Sequence, residues 1–286
     1  MHRMVRFPFV AAGLILCGSA TWADVARALS GRGAEVELRA GGGGIEYEED
    51  ISLSPVDSDW EAAYAKIGAS LVVAHHSGYA LRLDGDFWAS DSDRESWREN
   101  GELLQKNDLE VSGLDLAGYF GVGLERPSEY ELHGWIGLGF RHQAFERDNF
   151  VLANEGLRES VGTVDEDYSI ASVNLRLDGE WWLSPSWKVG GAATVWLAYY
   201  NEAENELFGT IEGDGGVALE LEAALVYALN DRQEIGLAVR LDAQDLEGDQ
   251  IQSVARTSEG LILQALEWPD NELRRIGIDL FWKTIL

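Results

Sequence analysis

The chain has 286 residues, of which 50 are acidic against 22 Lys and Arg, giving a formal net charge of −28. So acidic a balance argues against nucleic acid as a partner, because that affinity is built on cations facing phosphates. The only cysteine is Cys17, so there is no disulfide framework, and no run of 18 apolar residues marks a membrane-crossing helix.

In chain order, residues 1–23 read as a secretory signal peptide. His2, Arg3 and Arg6 make a basic start, Phe7 to Cys17 is an apolar run too short to span a bilayer, and small residues lead to a cleavage point after Ala23. Residues 24–286 then form one domain, since no Pro-rich or Ser-rich linker divides them. Arg3 and Arg6 apart, every Lys, Arg, Asp and Glu lies in that domain, so the mature chain is more acidic still.

From there the sequence alternates apolar and polar with period two, the mark of strands with two different surroundings. The first strand spans Glu35 to about Tyr47. Its glycine run, Gly41 to Gly44, predicts a bend or a close backbone approach, or a hidden hairpin. The second covers Trp60 to Ala74, with Ala63, Ala65, Ile67, Ala69, Leu71 and Val73 on one face. The third, from Tyr79 to about Ser90, sets Tyr79, Leu81, Leu83 and Phe87 against Arg82, Asp84 and Asp86. Further strands are expected over Asp108–Leu124, Tyr130–Phe145, Tyr168–Leu183, Trp187–Tyr199, Gly215–Leu229, Glu234–Ala243 and Arg274–Leu286. Residues 260–268 are apolar enough for an eleventh. Single-chain bacterial barrels have even strand counts, so this segment is assigned to the long final loop or to an upward extension of the last hairpin.

The connections alternate in length. Residues 76–78, 126–129, 184–186 and 230–233 are tight, with Gly, Pro, Asn and Ser in turn chemistry. Residues 91–107, 146–167, 200–214 and 246 onward are long polar passages, expected to be loops. Short turns at one end and long loops at the other are the layout of an outer-membrane barrel, with the turns in the periplasm and the loops outside the cell. Tyr79, Tyr130 and Trp187 each follow a tight turn on the apolar face, as one rim of an aromatic girdle would. The fold expected is therefore all-β: a transmembrane antiparallel up-and-down barrel of about ten strands, twelve if the glycine run hides a hairpin. Its location would be the cell outer membrane. Its partners would be outer-membrane lipid, lipopolysaccharide and the barrel-assembly machinery.

The inward face is charged. Arg82, Asp84, Asp86, Arg141, Arg176, Asp178, Glu180, Glu220, Glu222, Arg240 and Asp242 fall on it, joined by Glu35, Glu37, Arg39, Lys66, Asp115 and Lys188. Opposite charges in every part of the bore read as a plug of ion pairs. The rival reading is a narrow pore that the acidic excess biases toward cations.

Catalytic signals are sparse. His75-His76-Ser77 has the His-x-Ser spacing of outer-membrane lipid hydrolases but sits at the turn end, where coincidence is the better reading. His133 and His142 lie on opposite faces of one strand and cannot share a metal there. Asp91 and Asp93, residues 165–167 and residues 202–206 put carboxylates side by side; solvated loop charge is the default, and divalent cations are the cofactor they could hold.

The layout resembles the omptins, ten-stranded outer-membrane proteases with tall strands and an active site at the extracellular mouth. That resemblance implies an Asp-x-Asp pair at Asp91 and Asp93, the weak catalytic candidates of this chain. It also implies an Asp-x-His dyad above the seventh strand, but residues 199–208 contain no histidine, which removes the base such a protease needs. The chain also ends in Leu286 rather than an aromatic. The function expected is thus a small channel or a structural or surface barrel. An omptin-like or lipid-hydrolase enzyme and a soluble secreted β-protein are the alternatives.

Overall fold

A computed structural model describes residues 33–286 except 52–55, 75–78, 126–129, 154–161, 206–208, 214, 249, 258–259 and 268. The signal segment and the His75-His76-Ser77 turn therefore lie outside the described residues. Every regular element is a strand: β1 (Ala34–Ile51), β2 (Val56–Ala74), β3 (Tyr79–Ser90), β4 (Asp93–Glu99), β5 (Glu102–Glu125), β6 (Tyr130–Leu152), β7 (Val164–Trp182), β8 (Trp187–Asn205), β9 (Gly209–Gly213), β10 (Gly215–Asn230), β11 (Gln233–Glu247), β12 (Gln250–Thr257), β13 (Gly260–Glu267) and β14 (Asp270–Ile285).

All neighbours pair antiparallel, and β1 pairs with both β2 and β14, which closes the sheet. β4 continues β3, since both lie between β2 and β5. β9 runs beside β8 just ahead of β10. β12 and β13 pair with each other, between β11 and β14 in the chain. The result is a barrel of ten staves, the lower of the two even counts expected from sequence. The apolar segment 260–268 contributes β13 above the last hairpin rather than an eleventh stave.

Two sequence expectations change. The glycine run does not hide a hairpin: β1 is continuous through Gly41–Gly44, with Gly41 opposite Asp279 and Gly43 opposite Gly277. A methyl at Gly43 would overlap the Ile276 carbonyl oxygen, so the run does mark a close backbone approach. The second change concerns the long polar passages, which are largely strand. β5 starts at Glu102, β6 continues to Leu152 and β7 begins at Val164. Between β4 and β5, Asn100 and Gly101 have φ of 51° and 80°, the left-handed pair that a two-residue hairpin turn requires.

The reason those passages read as loops is physical. Across the lower barrel the outward face is apolar: Leu81, Leu83, Ile136, Leu138, Leu175, Leu177, Val239, Ile276, Ile278 and Leu280 are exposed. Higher up, the same alternation swaps content. On β1, Glu37 and Arg39 point in below, whereas Ile45 and Tyr47 point in above, and Glu46 and Glu48 face out. On β6, Arg141 points in below, Phe145 above, and Glu146 faces out. An apolar wall suits lipid, and an acidic wall suits water, so one strand crosses two solvents and its hydrophobic phase inverts at the boundary. The stretch from Tyr130 to Phe140, eleven residues, matches the roughly 9–11 residues of a tilted transmembrane strand.

Tyr79, Tyr130 and Trp187 are exposed at the turn-end rim of this belt. Trp181, Tyr227 and Trp282 join them, with Trp181 opposite Tyr130 and Tyr227 opposite Trp187. Trp187 and Tyr227 have ring centroids 4.9 Å apart.

Candidate functional site

The bore is the first place to look for function, because the belt turns ionisable side chains inward and burial forces them to find partners. At the turn end, Lys283 Nζ lies 2.6 Å from Glu180 and 3.2 Å from Glu35, and Lys188 Nζ lies 2.8 Å from Glu180 and 2.6 Å from Glu234. A cavity of about 620 Å³ opens there, lined by these groups with Trp135 and Trp182.

One layer deeper, Arg82 pairs with Asp84 at 2.8 Å and Asp178 at 3.5 Å, while Arg176 meets Asp178 at 3.0 Å. His133 Nδ1 is 3.6 Å from the same Asp178. Next, Asp86 is clamped between Arg39 at 2.7 Å and Arg240 at 3.1 Å, and Arg240 also reaches Glu222 at 2.5 Å. Lys66 holds Asp279 at 2.6 Å. The top layer joins Arg141 to Glu220 at 2.5 Å and Asp242 at 3.2 Å, and Arg275 to Asp115 at 2.8 Å and to Asp242. The structure thus gives all seventeen inward charges named from sequence an ion-pair partner, in four layers. Arg275, absent from that set, belongs to the top layer.

Between the layers two cavities remain, of about 30 and 20 Å³. Each has room for about one water. Above them Arg275 lies over the Trp88 ring at 4.4 Å and Arg141 over Trp196 at 4.2 Å, which covers the upper charges with aromatic faces.

The inverted phase then builds an apolar plug from Ile45, Tyr47, Trp60, Leu109, Val111, Phe145, Tyr168, Ile170, Leu246 and Leu273. A buried polar cluster lies within this upper wall. Arg147 donates to Glu49 at 2.5 Å and Glu95 at 2.9 Å, and Glu166 lies 3.8 Å away. Tyr47 donates to Glu49 at 2.5 Å, Asn107 to Glu95 at 2.6 Å and Asn205 to Glu166 at 2.7 Å. Three carboxylates about one guanidinium are two cations short. Burial pushes the Glu49 carboxyl up to about 7, with Glu166 and Glu95 adding to the push and Arg147 opposing it. The Tyr47 and Tyr168 phenols are raised far above their ordinary range, also chiefly by burial. Sequence reasoning missed this cluster because it treated these segments as loops. The available signal was alternation that persists with its apolar phase reversed.

The other sequence candidates lie apart from any such cluster. Asp91 and Asp93 are exposed at the break between β3 and β4. Asp93 Oδ1 accepts the Arg94 N–H at 2.7 Å, and among the described residues neither aspartate pairs with a histidine. Nor do the described residues contain a group of three His, Cys, Asp or Glu placed to hold a metal ion. The acidic residues 165, 167, 202 and 204 face outward on strands rather than sitting in loops.

The chain is similar to the outer membrane protease OmpT from Escherichia coli. That likeness has a TM-score of 0.68 at 9% identity, over 90% of this chain and 98% of the other. Similarity also extends to the translocator domain of the autotransporter NalP from Neisseria meningitidis, at TM-score 0.37 and 12% identity over 94% and 96% of the chains. The outer membrane protein OprG from Pseudomonas aeruginosa matches at TM-score 0.36 and 9% identity over 88% and 98%. No protein-family model and no curated protein sequence matches the chain. The first likeness carries the fold, a closed outer-membrane type barrel of ten staves. At 9% identity it transfers no residue roles.

Proposed function

We propose that this protein is a closed outer-membrane barrel that does not conduct, and whose working surface is its outer wall rather than its bore. The observation that supports this reading is the filled middle and top of the bore. Beyond the cavity of about 620 Å³ at the turn end, the charge layers leave spaces of about 30 and 20 Å³, and an apolar plug roofs them. A hydrated ion needs a continuous polar path, and a protease needs a cleft at the mouth. The tall end here holds buried Trp60, Phe145 and Tyr168 instead. The exposed apolar belt with its aromatic rim supports the membrane location. Short turns at the other end support a periplasmic assignment for that end.

The test is planar-bilayer conductance of the refolded chain. Folding is checked beforehand by its altered gel migration without boiling. The reading predicts a silent bilayer from folded protein. Steady unitary conductance steps would overturn it.

A further inference from the structure

Just above the lipid belt, the outward faces of β6 and β7 bring together a hydroxyl, an imidazole and a carboxylate. His142 and Ser169 are direct cross-strand partners, and Asp167 lies two residues along β7 from Ser169. Ser169 Oγ is 3.5 Å from His142 Nδ1, and Asp167 Oδ1 is 3.7 Å from His142 Nε2. The imidazole thus stands between a hydroxyl and an acid, one on each ring nitrogen. Asp167 at Nε2 favours the tautomer with its proton there, which leaves the Nδ1 lone pair toward the serine hydroxyl. This is the nucleophile–base–orienter arrangement of acyl-transfer sites, in a form looser than the usual 2.6–3.2 Å; such sites tighten when substrate binds.

The position matters as much as the triad. His142 lies two residues above Phe140, which is exposed on the belt, or about 7 Å along the strand. The site therefore sits at the level of lipid headgroups and ester carbonyls. One row below Ser169, the register of β7 against β8 shifts between Ala171 and Ser172, so that Tyr199 is left out of the ladder. Tyr199 and Tyr200 are both exposed as a result, giving an amphipathic floor suited to the interface. An extra residue next to a site is a recurrent way of re-aiming side chains and freeing backbone donors.

We propose that Ser169, His142 and Asp167 form a hydrolytic site on the outside of the barrel, acting on carboxylic esters of outer-leaflet lipid. Ser169 Oγ attacks the ester carbonyl as His142 takes its proton. The tetrahedral adduct expels the lipid alcohol, which receives that proton, and leaves an acyl-serine. Water, deprotonated by His142, then releases the fatty acid and restores the hydroxyl. Ser169 and His142 are the catalytic residues, and Asp167 is a positioning residue. The inference rests on the membrane placement proposed above but not on the closure of the bore.

The test uses the refolded full chain in vesicles of phosphatidylethanolamine and phosphatidylglycerol, and separately with lipopolysaccharide. Fatty-acid release is measured, alongside covalent labelling by a fluorophosphonate probe in detergent micelles. Release from either lipid that falls at least ~100-fold in Ser169→Ala and His142→Ala, with the label mapped to Ser169, is the expected result; the lipid that turns over identifies the ester's source. Asp167→Asn should lower kcat with KM unchanged and shift the pH profile, and Asp167→Glu should recover part of the rate. All of these residues are partly exposed, so folding, read by gel migration, should not change. No label on Ser169, or no release from either lipid by folded protein, overturns the proposal. Conductance would overturn only the closed bore, whereas solubility without detergent would overturn the membrane placement and this proposal with it.

Discussion

Replacing Arg147 with Met probes the buried cluster that inverted alternation creates. Among the described residues, Arg147 is the one cation paired with Glu49, Glu95 and Glu166, at 2.5, 2.9 and 3.8 Å, all four side chains being buried. Deleting one partner of a buried ion pair costs about 3–5 kcal/mol, because the charge left behind has neither water nor counter-ion. Here the penalty depends on pH. Glu49 in the folded state titrates at about 7, above its ordinary 4.5, so the folded chain binds more protons than the unfolded chain between those values. Stability from this group is fully present below about pH 4.5 and is lost as pH rises through 7; the difference is worth about 3 kcal/mol. Arg147 opposes that rise, so without it the Glu49 carboxyl takes up its proton at still higher pH. Arg147→Met should therefore cost about 3–5 kcal/mol at pH 8 and less than that at pH 5, where a neutral Glu49 needs a hydrogen bond rather than a cation. Urea titration in detergent micelles, followed by fluorescence of buried Trp60 and Trp88, measures both. An equal loss at the two pH values, or less than ~1 kcal/mol at pH 8, would refute the reasoning.

Three further outcomes are expected. Arg240→Ala removes the link between Asp86 and Glu222 in the middle of the bore and should cost about 3–5 kcal/mol in urea titration while the bilayer stays silent beneath the apolar plug; conductance steps would show that the plug does not seal the barrel. Gly43→Ala drives a methyl into the β14 backbone, whereas a methyl at Gly44 meets nothing within 4 Å. The first should therefore lose about 1–3 kcal/mol or more in urea titration, and the second should fold like the parent. Leu138→Arg, in the exposed belt, should cost about 2–4 kcal/mol in vesicles, and an Arg at Asp148 on the acidic wall should be near neutral in the same assay.

Much of the fold was legible because alternation is a local property. Tyr79 to Phe87 announces its two faces in nine letters, and tight turns such as residues 184–186 announce which end is which. The ten staves and the charged inward set follow from counting. What sequence reading lost was the tall end. Leu109, Phe145 and Tyr168 lie in polar neighbourhoods, and a search for apolar residues on the lipid-facing parity finds them on the wrong one. The strand does not stop there; its surroundings change from lipid to water. The site on the outer wall was hidden for another reason. His142 and Ser169 are 27 residues apart, and only the register of β6 against β7 makes them neighbours.

The amino-acid order by itself therefore determined the period, a count of about ten strands and the sign of each face along the lipid belt, since these depend on neighbours one or two residues apart. The tertiary structure decided how the inward charges pair in layers, that Arg147 sits among three glutamates, and that a serine, a histidine and an aspartate share one patch just above the apolar belt. Those depend on barrel closure and strand register, which bring side chains from distant strands to within about 4 Å of one another.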